Sequence, residues 1–235
     1  MKVTRKVAVL VDGGFYRYRA QSIWGDRTPK ERADELHKYC MLHLHSSYEE
    51  RVLYRIFYYD CPPVGTNIYH PFLKKQIPLG KTELFTWTND FFEELKRKRK
   101  LALRLGRLAE EQAKYVLKYE TLKDICNGKR AFEELTENDF RLDMTQKGVD
   151  MKIGVDISSM TFKKQVDQIV LIAGDSDFVP AAKCARREGI EFILDSMEAP
   201  IKADLHEHID GWKTYVNRKK PQKDDVSGND SHLDE

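Results

Sequence analysis

Short, nearly continuous runs of β-branched and aliphatic residues recur along the chain, and each ends in a turn signal. Lys6–Val11 (KVAVLV) stops at Asp12-Gly13-Gly14, Arg51–Tyr59 (RVLYRIFYY) at Asp60-Cys61-Pro62-Pro63, and Gln168–Ala173 (QIVLIA) at Gly174-Asp175-Ser176-Asp177. Apolar runs of this length predict strands buried on both faces, and consecutive prolines cannot continue a central ladder. Ile190–Leu194 reads as a further strand and Leu101–Leu105 as a short one. Helical spacing fills the intervals: Pro29 to Ser47; Asn89 to Lys98 with Asn89 as cap; Gly148 through Met160, with Met151, Val155 and Met160 among its apolar positions; and Phe178 to Glu188, stopped by Gly189. Pro180 fits the first turn of the last of these. Strands alternating with helices, without internal repeats, predict an α/β fold with a Rossmann-like central parallel sheet flanked by helices. Residues 1–216 then form one domain. The polar stretch 217–235 reads as a flexible charged tail.

Composition sharpens this picture. With 235 residues, 41% hydrophobic and 33% charged, the chain can fill a sizeable core and is not globally disordered. Its first apolar run is too short to cross a bilayer or to form a signal-peptide core, so no membrane association is expected. Cys40, Cys61, Cys126 and Cys184 lie far apart with no CxxC pair, matching neither a disulfide framework nor a zinc knuckle, and a reducing cytoplasm is the expected location. The formal charge of +2 hides an asymmetry: Lys96 to Arg130 carry twelve basic and four acidic residues, a local excess of +8. A basic helical insertion, about 88–140, on a mildly acidic body is the reading that follows.

Two buried strands end in acidic turns, giving Asp12 from VLVDGG and Asp175 and Asp177 from LIAGDSDF. In open parallel sheets the carboxyl ends of the strands face the ligand crevice, so these acids are expected to share one cleft. Asp150 opens the helix leading into the second strand. Asp156, six residues on, is rotated by about 240° from it and is the poorer partner. Each acid alone reads equally well as a turn or helix-cap residue. Together they predict a carboxylate cluster that a hard, oxygen-seeking Mg²⁺ or Mn²⁺ would neutralise, with hydrolysis of a nucleic-acid backbone as the chemistry.

The pieces VLVDGG (Val9–Gly14), QKGVDMKIGVDI (Gln146–Ile157) and LIAGDSDFVPAAKCARREG (Leu171–Gly189) resemble the three signature blocks of the NYN domain, in the LabA-like branch of the PIN-like ribonuclease superfamily. The resemblance spans most of residues 5–212. It implies a PIN-like α/β fold and a metal-dependent ribonuclease site with Asp12, Asp150, Asp175 and Asp177 as catalytic and metal-binding acids. It also implies pairing of two copies, since PIN-like domains commonly form homodimers. One departure is Phe15, at a position where many members carry Asn. EHIDGW (Glu207–Trp212) resembles the closing helix of the family, with Asp204 and Asp210 as surface or packing positions.

RNA is the expected partner. The run Lys96, Arg97, Lys98, Arg99, Lys100 reads either as a solvated helix end or as a phosphate-binding patch, and the surrounding charge favours the second. Tyr16 and Arg17, just after the first acid, are candidates for base stacking, with core packing as the alternative. Ser176 is a candidate phosphate contact or cap. His43 and His45, like His206 and His208, are two apart and read as surface residues. Gly13-Gly14 without GxGxxG is no dinucleotide fingerprint. A ribonuclease is therefore expected, with a catalytically weak RNA-binding or regulatory protein as the alternative and a small-phosphoester phosphatase as a third reading.

Overall fold

The computed structural model describes residues 4–216, without the side chain of Ser176; the segment 217–235 lies outside them. The chain begins with strand β1 (Thr4–Asp12), helices α1 (Gly13–Trp24) and α2 (Pro29–Leu42), and strand β2 (Glu50–Asp60). A hairpin of β3 (Asn67–His70) and β4 (Lys75–Pro78) follows, then α3 (Glu83–Lys96) and β5 (Leu101–Leu105). Next come β6 (Arg107–Leu108), β7 (Lys114–Leu117), α4 (Tyr119–Cys126), β8 (Phe140–Asp143) and β9 (Gln146–Lys147). The chain then returns to the core with α5 (Val149–Phe162), β10 (Gln168–Ile172), α6 (Val179–Arg187), β11 (Glu191–Asp195), α7 (Ala203–Glu207) and β12 (Gly211–Trp212).

The central sheet has six strands in the order β12-β11-β10-β1-β2-β5, all parallel. Winding proceeds from β1 through β2 to β5 on one side, then restarts at β10 on the other. The β1/β10 junction is therefore the point where the strand order reverses, the place where such sheets open a crevice at their carboxyl ends. One face of the sheet is covered by α1, α2 and α3 through Tyr16, Ala20, Leu36, Tyr39 and Phe91, the other by α5, α6 and α7 through Ile153, Ile157, Ala182 and Leu205. Val7–Val11 and Ile169–Ile172 are at most 1% exposed, because two layers of helices cover them.

Several local expectations need correction. Asn89 does not cap a helix: α3 begins six residues earlier, where the Thr82 hydroxyl accepts the Phe85 N–H at 3.2 Å, and the Asn89 side chain donates to the Phe85 carbonyl. Met151 and Val155 are exposed at 72% and 55%, since α5 turns Val149, Ile153, Ile157 and Met160 inward instead. The basic segment after β5 contains one α-helix, α4, but is otherwise built of strand pairs β6/β9 and β7/β8 and 3-10 turns. It packs on the β3/β4 hairpin, with the His70 ring 4.2 Å from that of Tyr115. After α7 the chain does not stay helical, and Gly211–Trp212 becomes an edge strand beside β11. Among the described residues no helix is long and apolar enough to cross a membrane, and all four cysteines are free.

Candidate active site

Asp12 ends β1 and caps α1, its Oδ1 accepting the Phe15 N–H at 3.1 Å. The cap reading therefore holds for Asp12. The close turn is possible because residue 13 is glycine: a Cβ there would lie 2.6 Å from the Tyr58 ring and from the Tyr59 carbonyl oxygen. Across the β1/β10 junction, Asp175 and Asp177 stand exposed in the turn before α6, with the Asp177 N–H donating to Asp175 Oδ1 at 3.2 Å. Asp150 is exposed in the first turn of α5.

The four acids form an electrostatic chain. Burial pushes the Asp12 carboxyl up to about 6, helped by the charges of Asp150 and Asp60 and opposed by the Phe15 N–H. Asp150 is raised by burial and by the charges of Asp175 and Asp177. The two arginines nearest in the fold are engaged elsewhere, Arg17 with Asp60 and Arg104 with Asp156. The mutual repulsion of the acids is left standing, which is the condition a divalent cation relieves. Asp156, by contrast, is neutralised by Arg104 at 3.0 Å and accepts the Tyr59 hydroxyl.

The donor set fits Mg²⁺ or Mn²⁺ in kind: hard carboxylate oxygens, solvent at the mouth, and no histidine or thiol among the four. Among the described residues no three His, Cys, Asp or Glu side chains stand close enough to hold one metal ion by themselves. That arrangement suits an ion that keeps most of its waters and binds through one or two carboxylates plus a substrate phosphate.

Asp60, at the end of β2, is an acid that the sequence reading passed over as part of a proline turn. It is 1% exposed, accepts the Cys61 N–H at 2.8 Å and the Tyr58 hydroxyl at 3.1 Å, and pairs with Arg17 at 3.1 Å. Burial raises its carboxyl despite Arg17. The signal was present, because YYD-C repeats the strand-then-acid pattern of LVD-G.

The predicted RNA contacts divide. Arg17 is held by Asp60 at the end of β2. Tyr16 is fully buried, its hydroxyl donating to Glu35 at 3.0 Å, so packing and not stacking is its role. The KRKRK run precedes β5, whose far end Leu105 is level with Asp60, so the run sits at the opposite edge of the sheet from the acids. Lys96 pairs with Glu93, Arg97 with Glu94 and Lys98 with Asp34, while Lys100 donates to the Leu53 carbonyl. Ser176 has no described side chain. His43 is not a surface residue but 1% exposed, against Asp195. Asp210, as expected, packs: it accepts the Phe192 N–H and pairs with Arg186, both at 2.8 Å.

A family model, the NYN domain, matches residues 88–210, more than half of the chain. The chain belongs to the NYN domain family. No curated protein matches the sequence. Membership places the NYN domain in the PIN-like nuclease superfamily, in agreement with its six-stranded parallel sheet. The matched range holds Asp150, Asp175 and Asp177; Asp12 lies before it and is brought beside them by the β1/β10 pairing.

Where many NYN domains carry a polar Asn, the Phe15 ring packs on the acidic turn. A Cβ on Gly174 would lie 2.5 Å from Phe15 Cε2. Gly174→Ala is expected to cost about 1–3 kcal/mol by overpacking, and Phe15→Ala in the same chain to restore most of that loss. Thermal melts of the single and double variants check this; equal melting of Gly174→Ala and wild type would contradict it.

Proposed function

We propose that this NYN domain is a metal-dependent endoribonuclease, with Asp12, Asp150, Asp175 and Asp177 as its catalytic acids and Mg²⁺ or Mn²⁺ as its cofactor. The observation that carries the reading is the placement of Asp12 and of Asp175 and Asp177 beyond the carboxyl ends of β1 and β10, where the strand order reverses, with Asp150 of α5 electrostatically coupled to all three and the Asp12 and Asp150 carboxyls raised. When bound there, a divalent ion supplies charge neutralisation and a water of lowered pKa. Asp12, fixed by the Phe15 N–H and partly withdrawn from solvent, would be one of the carboxylates that hold the ion. Asp150, exposed and raised, is suited to accept a proton from the attacking water. Asp175 and Asp177 complete the anionic rim. RNA is the proposed substrate, and the free cysteines are in keeping with a cytoplasmic location.

Two observations favour a second reading, a catalytically weak RNA-binding protein: Phe15 places an apolar ring where many relatives have a polar group, and among the described residues no three donors are pre-assembled. Incubation of the full chain with generic RNA and Mn²⁺ separates the two. Cleavage that Asp175→Asn lowers by about 10²–10³-fold, with RNA binding retained, supports the enzyme. Binding without cleavage under any divalent ion supports the second reading.

A further inference from the structure

Helix α5 has two apolar faces. One, through Val149, Ile153, Ile157 and Met160, packs into the core. The other carries Met151, Val155 and Phe162, all exposed, with Phe162 at 65%. Folded domains rarely leave a contiguous apolar stripe in water unless something comes to cover it. This stripe forms one wall of a groove of about 730 Å³ between α5 and α6, and Pro180 and Ala181 form the other. Gly154 lines the groove with no atom within 4 Å of where its Cβ would lie, so the trough is open along its length. Apart from two serines, the polar lining is Asp150 and Asp177. Asp150 lies in the first turn of α5 and Asp177 just before α6, so the groove begins at two of the four acids. From Met151 it reaches Phe162, eleven residues on, or about 16 Å at 1.5 Å per residue. Exposed cations border it: Lys152 and Lys163 follow Met151 and Phe162 on α5, and Lys183 stands one turn beyond Pro180 on α6.

We infer that this groove is a track for the unpaired bases of an RNA strand leading away from the scissile phosphate, so that the domain takes single-stranded and not duplex RNA. The inference rests on the ribonuclease reading above. Phosphates find no partner along the apolar walls, and Asp150 and Asp177 repel them unless a cation stands between. Base faces do fit, because every base presents a π surface that stacks on aromatic and apolar side chains. The bordering lysines are placed to take the phosphates. A duplex keeps its base faces stacked inside and offers the trough only sugar and phosphate. The track is therefore selective for strand state and tolerant of sequence. A second protein chain seated here would cover Asp150 and Asp177 and close the proposed site, so the substrate itself is the occupant that the geometry favours.

Binding tests this apart from cleavage, in the full chain carrying Asp175→Asn with Mn²⁺ present, so that the RNA stays intact. A labelled strand without self-complementarity is compared with the same strand annealed to its complement. The single strand is expected to bind about tenfold more tightly than the duplex. Phe162→Ala is expected to lower single-strand affinity about tenfold and to leave duplex affinity unchanged. Gly154→Gln, which grows a side chain into the trough at a position where the helix gains by losing glycine, is expected to lower single-strand affinity in the same way. A duplex bound as tightly as the single strand, or single-strand affinity unaltered in both variants, overturns the track and leaves the RNA reading standing. A dimer in sedimentation that Phe162→Ala converts to monomer, with RNA affinity unaltered, assigns the stripe to a second copy and overturns the track equally. Binding of neither RNA overturns the RNA reading itself, and the track with it.

Discussion

Asp12→Asn is expected to lower phosphodiester cleavage steeply and, in the same protein, to raise thermal stability at neutral pH without divalent ions. The two effects have one cause. In the folded chain the Asp12 carboxyl titrates near 6, against an ordinary value of 3.8, because burial and the nearby Asp150 and Asp60 disfavour its charge. Between these two pH values the folded state binds more protons at this position than the unfolded state. Stability therefore falls as pH rises through about 4 to 6, and above 6 the full penalty stands, up to about 3 kcal/mol at 1.36 kcal/mol per unit. Asparagine removes the charge and keeps an oxygen to accept the Phe15 N–H, so the α1 cap survives. The variant is expected to melt up to about 6–12 °C higher than wild type at pH 8 in chelator. Mn²⁺ should raise the melting temperature of wild type and raise that of Asp12→Asn much less, because binding to the native state alone stabilises it. Loss of cleavage should be about 10²–10³-fold. Melting curves from pH 4 to 8, with and without Mn²⁺, are the measurement; an Asn variant less stable than wild type at pH 8 in chelator would refute the account.

The largest effect on stability is expected far from the acids, at Asp195→Ala. Asp195 ends β11 and is fully buried, on the side of the sheet covered by α2. Its Oδ2 accepts the Tyr39 hydroxyl at 2.6 Å and lies 2.9 Å from His43 Nε2, and its Oδ1 accepts the Met197 N–H at 2.8 Å. The Tyr39 hydroxyl also lies 3.2 Å from Thr214 Oγ1, so the same carboxylate ties α2 to the last described residues. Alanine would leave a buried ring nitrogen and a backbone N–H without partners and would take from the Tyr39 hydroxyl its shortest hydrogen bond. A loss of about 3–5 kcal/mol follows, or roughly 6–20 °C in melting temperature. Asp195→Asn keeps acceptor oxygen and should lose markedly less. Circular-dichroism melts of both variants decide the matter, and a loss under about 1 kcal/mol for alanine would show that the network contributes little.

How much of this was written in local sequence differs from element to element. After their first residues the runs KVAVLV and QIVLIA are apolar throughout and rich in β-branched side chains, the pattern of a short strand covered on both faces, and they form β1 and β10 within a residue or two of expectation. Their terminal acids follow directly, since the side chain after a buried strand has to leave the sheet at its carboxyl end. Helix faces were less legible. Met151 and Val155 have the right chemistry for a core and the right spacing, yet the competing stripe Val149-Ile153-Ile157-Met160 is the one turned inward. Asn89 is a good cap by residue type, but Thr82 has the position.

The amino-acid sequence by itself determined the α/β class, the strand runs, their acidic ends and the NYN-type blocks, because period, propensity and turn chemistry act over a few neighbouring residues. Only the tertiary structure decided that β1 pairs with β10 and so brings Asp12 beside Asp150, Asp175 and Asp177, that the KRKRK run sits at the opposite edge of the sheet, and that Asp60, Thr88, His43 and Tyr16 are buried. Strand order and solvent exposure depend on contacts between distant segments, as where Lys6 meets Asp167, 161 residues on, and Arg5 meets Glu191, 186 residues on, and no local pattern encodes the partner at that distance.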